Sequence, residues 1–373
     1  LCKIFFENDA TQTQQYSKVW HYKEWAKQNS GYSETDIGID LVAKLRDEEG
    51  YCAIQCKLYQ SEYSISKSDI DSFVSASSTP DFTRLVLIDT STQPLGKNSQ
   101  SVFDNLSAEY VRIQQSELEE SRIDWSSYIN DGSIRLHSKK ELRDHQVKAL
   151  NTIREGLKED DRGKMIMACG TGKTFTSLRI AEDIAGIGKT VLYMVPSLAL
   201  MSQTVREWNN DAKEDFMAFS ACSDDKVGRN KPKDDQIQVN LHDLAFPATT
   251  DARKLSEQIK KADISKMIVV FSTYHSIEVI SKAQYEYDLG EFDLIVCDEA
   301  HRTTGATLEG EDESNFVKIH NNENVKGKKR LYMTATPRIY GETARKKEDE
   351  GQVNLASMDD ESIFGKNLFH RSA

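Results

Sequence analysis

Two short runs of this sequence carry the residue types that handle phosphate. The first is Ala168-Cys169-Gly170-Thr171-Gly172-Lys173-Thr174, which follows the apolar stretch Lys164–Ala168. Glycines in such a turn let successive backbone N–H groups close round an anion, and the helix that starts there adds a favourable dipole. Gly170, Thr171 and Gly172 would form the cradle, Lys173 would pair with the β- and γ-phosphates, and Thr174 would ligate Mg²⁺ through its hydroxyl. The strict GxxxxGK spacing is not met, because Met167 stands where its first glycine belongs. The second run, Asp298-Glu299-Ala300-His301, ends the apolar stretch Leu294–Cys297. Carboxylates at the carboxyl end of a buried strand are where open α/β sheets place ligand chemistry. Asp298 is expected to hold Mg²⁺, Glu299 to position and deprotonate an attacking water, and His301 to sense the γ-phosphate. The two runs together predict an ATP site.

A separate polar group lies far toward the N-terminus. Gln55 and Lys57 are two residues apart in an alternating stretch and so share a strand face. Cys52, Ile54 and Cys56 take the opposite face, expected to be core. Asp40 sits on the stretch before it, across a turn at 47–50. Phosphodiester hydrolysis needs such a group: a carboxylate and a carbonyl oxygen for Mg²⁺, and a lysine to orient the attacking hydroxide and offset developing charge. Asp36, four residues before Asp40, and Glu24 are the candidate additional metal ligands.

The elements that must position these residues are legible as two patterns. Residues 16–28 read as a helix, 37–46 and 51–59 as a hairpin, 66–76 as a helix, and 84–90 and 110–114 as strands. This is an α/β domain with a small mixed sheet, assigned to 1–135 with a polar connector at 118–138. Over 136–373, apolar strands at 164–168, 190–195, 216–221, 267–272, 293–297 and 330–334 alternate with helical segments. That alternation predicts a parallel sheet with helices on both faces. Segment 223–250 reads as a loop or insertion, and 342–360 as charged and mobile.

Composition narrows the function. The 373 residues suit two domains, and the net charge of −12 argues against adhesion to nucleic acid through a global field. Residues 1–135 carry 13 basic and 21 acidic side chains, so any DNA contact there must use a local groove or a divalent metal. No apolar run reaches the length of a membrane span. The six scattered cysteines lack metal-ligand spacing, which favours free thiols and a reducing cytoplasm.

The order of motifs resembles the first RecA-like domain of superfamily 2 helicases and translocases. Leu142-Arg143-Asp144-His145-Gln146 resembles that family's adenine-reading segment, which implies a base contact for Gln146. Pro196 and Ser197, and then Ser272 and Thr273, resemble its DNA-contacting motifs. Thr334-Ala335-Thr336-Pro337 resembles the segment that couples ATP to DNA. Gly38-Ile39-Asp40-Leu41-Val42 with Ile54-Gln55-Cys56-Lys57 resembles the Mrr-like branch of the PD-(D/E)xK nucleases, in which Gln replaces an acidic residue. The fold implied is a restriction-endonuclease-like mixed sheet flanked by helices, followed by a RecA-like parallel sheet.

A nuclease followed by a double-strand DNA translocase resembles the N-terminal part of Type ISP restriction-modification enzymes. That resemblance implies double-stranded DNA as partner and ATP and Mg²⁺ as cofactors. It also implies a second RecA-like domain, a methyltransferase using S-adenosylmethionine, and a target-recognition domain on the same polypeptide. Fewer than 40 residues follow Thr336, so the chain is expected to be a fragment that binds nucleotide but turns it over weakly alone. Other readings are the restriction subunit of a multi-subunit Type I enzyme, a standalone defence nuclease–helicase, and an ATP-dependent DNA-binding switch with an inert N-terminal domain.

Overall fold

The computed structural model describes residues 1–35, 37–46, 48–222, 248–308, 314–341 and 353–372. They form two compact units, residues 1–139 and residues 140–372.

The first unit runs α1 Cys2–Asn8, α2 Ala10–Gln15, β1 Tyr16–His21, α3 Tyr22–Gln28, β2 Leu41–Leu45, β3 Tyr51–Lys57, α4 Lys67–Ser77, β4 Phe82–Asp89, α5 Lys97–Asp104, β5 Glu109–Gln114, α6 Gln115–Glu119 and α7 Trp125–Asp131. The sheet order is β1-β2-β3-β4-β5. The first two pairings are antiparallel and the last two parallel, a mixed sheet as expected. Helix α4 shows the local logic. Asp69 accepts from the Ser66 N–H at 2.8 Å, a capping box that fixes its start. Ile70, Phe73 and Ser77 then fall on one buried face, packed with Trp25, Ala53, Leu85 and Phe103.

The single helix expected over 16–28 is instead a strand and a helix. Tyr16–His21 pairs with β2 from Tyr16↔Leu45 to His21↔Leu41, and Glu24 caps the helix behind it through the His21 N–H at 3.3 Å. The connector region 118–138 also holds α7, ended by Gly132 in the left-handed region. Helix α1, not anticipated, buries Phe5 and Phe6, and Phe6 meets Tyr16 edge-on at 5.3 Å.

The second unit runs α8 Asp144–Glu159, β6 Arg162–Met167, α9 Lys173–Ile184, β7 Thr190–Val195, α10 Leu198–Asp211, β8 Phe216–Ala221, α11 Ala252–Lys260, β9 Met267–Thr273, α12 Ile277–Tyr285, β10 Leu294–Cys297, β11 Gly305–Leu308, β12 Arg330–Thr334, β13 Val353–Ala356 and β14 Lys366–Arg371. Seven strands form one parallel sheet in the order β14-β6-β12-β10-β7-β9-β8. Helices α11 and α12 cover the face bearing Leu192, Val270 and Ile295. Trp208 of α10 packs on the other face, against Tyr193 and Phe271.

One expectation for this unit changes, and another falls largely outside the described residues. Of the segment 342–360, residues 342–352 lie outside the described residues. Residues 353–356 are not a mobile tail but β13, paired antiparallel with β11. Strand β14 then closes the sheet beside β6. Its Leu368 needs two glycines: a Cβ on Gly163 would lie 2.3 Å, and on Gly156 2.5 Å, from that side chain. Of the expected insertion 223–250, residues 223–247 lie outside the described residues, and Thr249 bridges to Ala221.

Candidate nuclease and nucleotide sites

In the first unit, β2 and β3 pair with Leu41 opposite Ile54, and the Asp40 N–H donates to the Ile54 carbonyl at 2.9 Å. That bond is one residue out of step with the ladder, so Asp40 stands at an irregularity where the chain enters β2, beside the Gln55–Lys57 end of β3. The Asp40 carboxylate accepts from the Cys56 N–H at 2.7 Å. Gln55 is buried; its amide donates to the Gly38 carbonyl at 2.9 Å, and its amide oxygen is buried with no hydrogen-bond partner. Lys57 ends β3 half-buried, with Asp89 as its register partner on β4.

The face opposite Gln55 is core as expected, with Cys52 and Ile54 fully buried. The Gln55 face is buried as well, because Ala53, Val42 and Leu87 on it pack under α3, α4 and α5. The polar group therefore stands at the end of a helix-covered face.

Among the described residues no three His, Cys, Asp or Glu side chains gather in a metal-binding group. The donors present are one exposed carboxylate and one orphaned amide oxygen. Hard cations such as Mg²⁺ take oxygen ligands of both kinds, so Asp40 and Gln55 fit that metal. Glu24 is exposed and engaged in the α3 cap. Its helix begins against the Asp40 strand, since the Tyr22 N–H donates to the Asp40 carbonyl at 3.0 Å. Asp36 lies outside the described residues.

In the second unit, the functional segments all leave the carboxyl ends of parallel strands. The phosphate loop follows β6, Thr334–Thr336 follows β12, Asp298–His301 follows β10, Pro196 and Ser197 follow β7, and Ser272 and Thr273 end β9. Because β12 lies between β6 and β10, the coupling segment sits between the phosphate loop and the acidic pair.

The loop is a tight turn with Gly170 at φ +75° and Gly172 at φ +83°, both in the left-handed region that glycine tolerates. Gly172 caps α9, so Lys173 is its first residue. The Lys173 ammonium donates to the Met167 carbonyl at 3.4 Å. The Thr171 hydroxyl donates to the Ala168 carbonyl at 2.6 Å. Gln146, buried on α8, turns its amide toward the loop carbonyls of Thr171 and Gly172 at 3.4 and 3.3 Å, and His145 approaches Thr171 at 3.0 Å. A Cβ on Gly172 would lie 2.5 Å from that Gln146 amide nitrogen. Thr174 is held through its carbonyl by the Trp208 indole at 3.1 Å.

Asp298 is buried, its N–H donating to the Met194 carbonyl at 2.9 Å. Burial, with the Glu299 charge beside it, pushes its carboxyl up to about 6. A buried carboxylate in that condition suits a divalent cation, with the Thr174 hydroxyl as the second donor from the chain. Glu299 takes φ +48°, ψ +45°, a strained conformation for a residue with a Cβ. His301 Nδ1 lies 3.3 Å from the Glu299 carboxylate and 3.0 Å from the Thr334 hydroxyl. Burial lowers the histidine's pKa, so it is neutral at pH 7. The Thr334 hydroxyl donates to the Thr336 carbonyl at 3.2 Å and accepts its N–H at 3.1 Å, folding the strand end round Ala335.

The expected DNA-contacting residues are split. Ser197 caps α10, accepting from the Leu200 N–H at 3.4 Å, beside a buried Pro196. Ser272 and Thr273 are buried, Thr273 within 2.8 Å of the Ser276 hydroxyl. Cys169 is the one cysteine exposed, in the phosphate loop, and none of the six forms a disulfide.

Residues 139–339, more than half of the chain, match the family described as Type III restriction enzyme, res subunit. The chain belongs to that restriction-enzyme family. Residues 7–134 match a second family, described as restriction endonuclease. Among solved structures, the ATP-dependent Type ISP restriction-modification enzyme LlaBIII bound to DNA is 37% identical, with a TM-score of 0.80. That match covers 100% of this chain and 24% of LlaBIII. A nuclease-deletion mutant of the Type ISP enzyme LlaGI, in complex with a DNA substrate mimic, is 41% identical over 62% of this chain and 20% of its own, with a TM-score of 0.47. The chain thus spans about a quarter of the first relative's length. No curated protein matches it. The resemblance read from the motifs, an Mrr-like nuclease joined to a superfamily 2 motor domain of the Type ISP kind, is the one these matches bear out.

Sequence reasoning missed the polar partners around these candidate sites. Arg112 and Asp89 form a fully buried two-point ion pair, at 2.7 and 2.9 Å, next to the Lys57 strand end. His320 bridges the Thr303 carbonyl at 2.9 Å and the Tyr332 hydroxyl at 3.0 Å. It thereby ties the turn after Glu299 to β12, and burial lowers its pKa to about 4. No helix among the described residues is long and apolar enough to cross a membrane.

Proposed function

We propose that this chain is the nuclease and first motor part, residues 1–135 and 136–373, of an ATP-dependent restriction endonuclease that translocates on double-stranded DNA. The observation that carries the reading is the buried, unpartnered amide oxygen of Gln55, next to the Cys56 N–H that the Asp40 carboxylate accepts from. It is an open acceptor beside a carboxylate, in a chain whose second unit aligns the ATPase segments along one sheet end.

Asp40 and Gln55 would hold Mg²⁺, which supplies Lewis-acid polarisation of the phosphodiester. Lys57 orients the attacking hydroxide and offsets charge on the phosphate. Lys173 and the N–H groups of Gly170–Lys173 bind the ATP phosphates. Asp298 and Thr174 would hold the nucleotide's Mg²⁺. Glu299 accepts the proton of the attacking water, and His301 reports its state to Thr334. Gln146 reaches adenine by letting go of the phosphate loop. Of the four DNA-contact candidates, Ser197 alone is not buried and would meet the DNA backbone, with Pro196, Ser272 and Thr273 shaping the strand ends behind it.

The partners of this reading are double-stranded DNA and further modules of the same polypeptide. Those modules are a second RecA-like domain and, with S-adenosylmethionine, a methyltransferase and a target-recognition domain. The setting is the prokaryotic cytoplasm. The test substitutes Asp40→Ala and Lys57→Ala in the intact polypeptide. Both should abolish DNA cleavage while DNA-stimulated ATP turnover persists, and cleavage surviving both changes would refute the nuclease assignment.

A further inference from the structure

The segment that follows Lys57 is a fixed platform with an uncovered apolar tip. Leu58 is 88% exposed, immediately after Lys57. The backbone behind it is pinned to the outlet of β4. The Tyr59 N–H donates to the Thr90 hydroxyl at 2.7 Å, and that hydroxyl donates to the Tyr59 carbonyl at 2.6 Å. The Ser61 carbonyl accepts from the Thr92 N–H and hydroxyl, both at 2.8 Å. The Tyr63 carbonyl accepts from the Ser91 hydroxyl, and the Ile65 carbonyl from the Ser99 hydroxyl at 2.8 Å. Tyr59 and Tyr63 stack at 4.5 Å with their planes 16° apart, and the Tyr63 hydroxyl donates to Asp69 at 2.9 Å.

A loop tied at this many points has its shape set before any ligand arrives. A leucine held out on it therefore costs little further ordering on insertion into a partner. Position and composition indicate which partner. Residues 57–69 hold two lysines, two acidic residues, four serines and a glutamine, a charge-neutral stretch in a unit with seven more acidic than basic side chains. A neutral, hydroxyl-rich rim around an apolar tip, directly after the Lys57 of the proposed nuclease site, suits a partner with stacked apolar planes, which is duplex DNA. Nucleic-acid-bending proteins insert leucine between base steps in this manner, unstacking them.

We propose that Leu58 wedges into the duplex beside the phosphodiester that Lys57 addresses, with the Tyr59–Tyr63 stack bracing the loop. This rests on the nuclease reading above. Lys57 then meets a phosphate whose flanking bases are parted, so the wedge fixes where the strand is presented.

The experiment uses the intact enzyme and two duplexes that differ only in a short unpaired bubble at the mapped cleavage position. Leu58→Ala should cut the paired duplex at least about tenfold more slowly, leave ATP turnover unchanged, and recover most of the rate on the bubble, where unstacking is already done. An Asp40→Ala control accompanies it. Unchanged cutting of paired DNA by Leu58→Ala, with Asp40→Ala inactive, overturns the wedge alone. An equal loss on both duplexes also overturns it, assigning Leu58 to contact with another protein surface. Cutting that survives Asp40→Ala removes the site and the wedge together.

Discussion

The Nδ1 atom of His301 lies 3.0 Å from the hydroxyl of Thr334, a residue 33 positions further along the chain. The same nitrogen is 3.3 Å from the carboxylate of Glu299. A neutral imidazole thus stands between the proposed general base and the first residue of the proposed coupling segment. Thr334→Val keeps the β-branched shape and removes the hydroxyl. It should leave ATP binding intact and lower the DNA stimulation of ATP turnover by roughly tenfold or more, the scale on which positioned proton-handling groups act. Turnover measured with and without DNA on the intact enzyme checks this. Equal losses in both conditions would assign Thr334 to the chemical step instead.

Glu299 combines a proposed catalytic role with strain. Its left-handed backbone costs an L-residue about 1–2 kcal/mol, which glycine avoids. Glu299→Gly should therefore raise the thermal stability of the motor unit while abolishing ATP turnover. Glu299→Gln should abolish turnover with no gain in melting temperature. If both variants melt alike, the strain is not resident at this position.

Asp298 sets a pH dependence. Its folded pKa is raised from 3.8 to about 6 by burial. A raised pKa means that the folded form favours the protonated carboxyl, so this stabilisation is present below about 4 and lost as pH rises through 6. Asp298→Asn should thus stabilise the unliganded protein at pH 8 by up to about 3 kcal/mol, and little at pH 4. The affinity for Mg²⁺-nucleotide should rise with pH through the same window, because the cation needs the ionised form. Denaturant melts at the two pH values, with and without nucleotide, read both effects. A gain in Asp298→Asn that is equal at pH 4 and pH 8 would remove burial of charge as its cause.

Gln55 offers a test of the nuclease site that does not need cleavage. Its amide donates to the Gly38 carbonyl, and its oxygen is left over. Gln55→Glu replaces that donor by an ionised oxygen facing a carbonyl. The first unit should lose roughly 1–3 kcal/mol of stability in chelator and regain much of it with Mg²⁺. A loss that Mg²⁺ leaves unchanged would mean that the position does not face the metal.

Gly172 should tolerate no side chain. Its φ of +83° and the 2.5 Å approach of Gln146 make Gly172→Ala both strained and crowded. The variant is expected to lose nucleotide binding by equilibrium titration while retaining its fold by circular dichroism. Pairing it with Gln146→Ala relieves the crowding but not the strain; read against Gln146→Ala alone, which loses the proposed adenine contact, it should recover only part of the affinity. Full recovery would make crowding the sole fault.

What could be read in advance followed from how local each cause is. The phosphate loop, Asp298, Glu299 and Thr334 declare themselves because a strand, its end and the chemistry beside it are contiguous in sequence. The mixed sheet of the first unit and the hairpin carrying Asp40, Gln55 and Lys57 were legible through alternation. Tyr16–His21 was not, because aromatic residues at 16, 20, 22 and 25 mimic helical spacing, and the strand exists only through pairing with β2. Arg112 and Asp89 were invisible for a similar reason: each reads as an ordinary strand residue until β4 and β5 lie side by side. Strand β14 escaped because Lys366–Arg371 is a polar edge, and only the glycines opposite Leu368 mark its place.

The position of β12 has a consequence for how such a chain is made. Arg330 pairs with Arg162, 168 residues earlier, and β12 separates the strand of the phosphate loop from that of Asp298. During synthesis the loop at 168–174 leaves the ribosome long before its sheet neighbour exists. Until the 330s have emerged, the nascent unit has a gap in the middle of its sheet, and the acidic pair has β7 on one side and nothing on the side of the phosphate loop. Parallel pairings of this sequence separation form late and expose edges meanwhile. Nucleotide therefore cannot template the early folding of the motor unit, and is available only as a late lock on an already closed sheet.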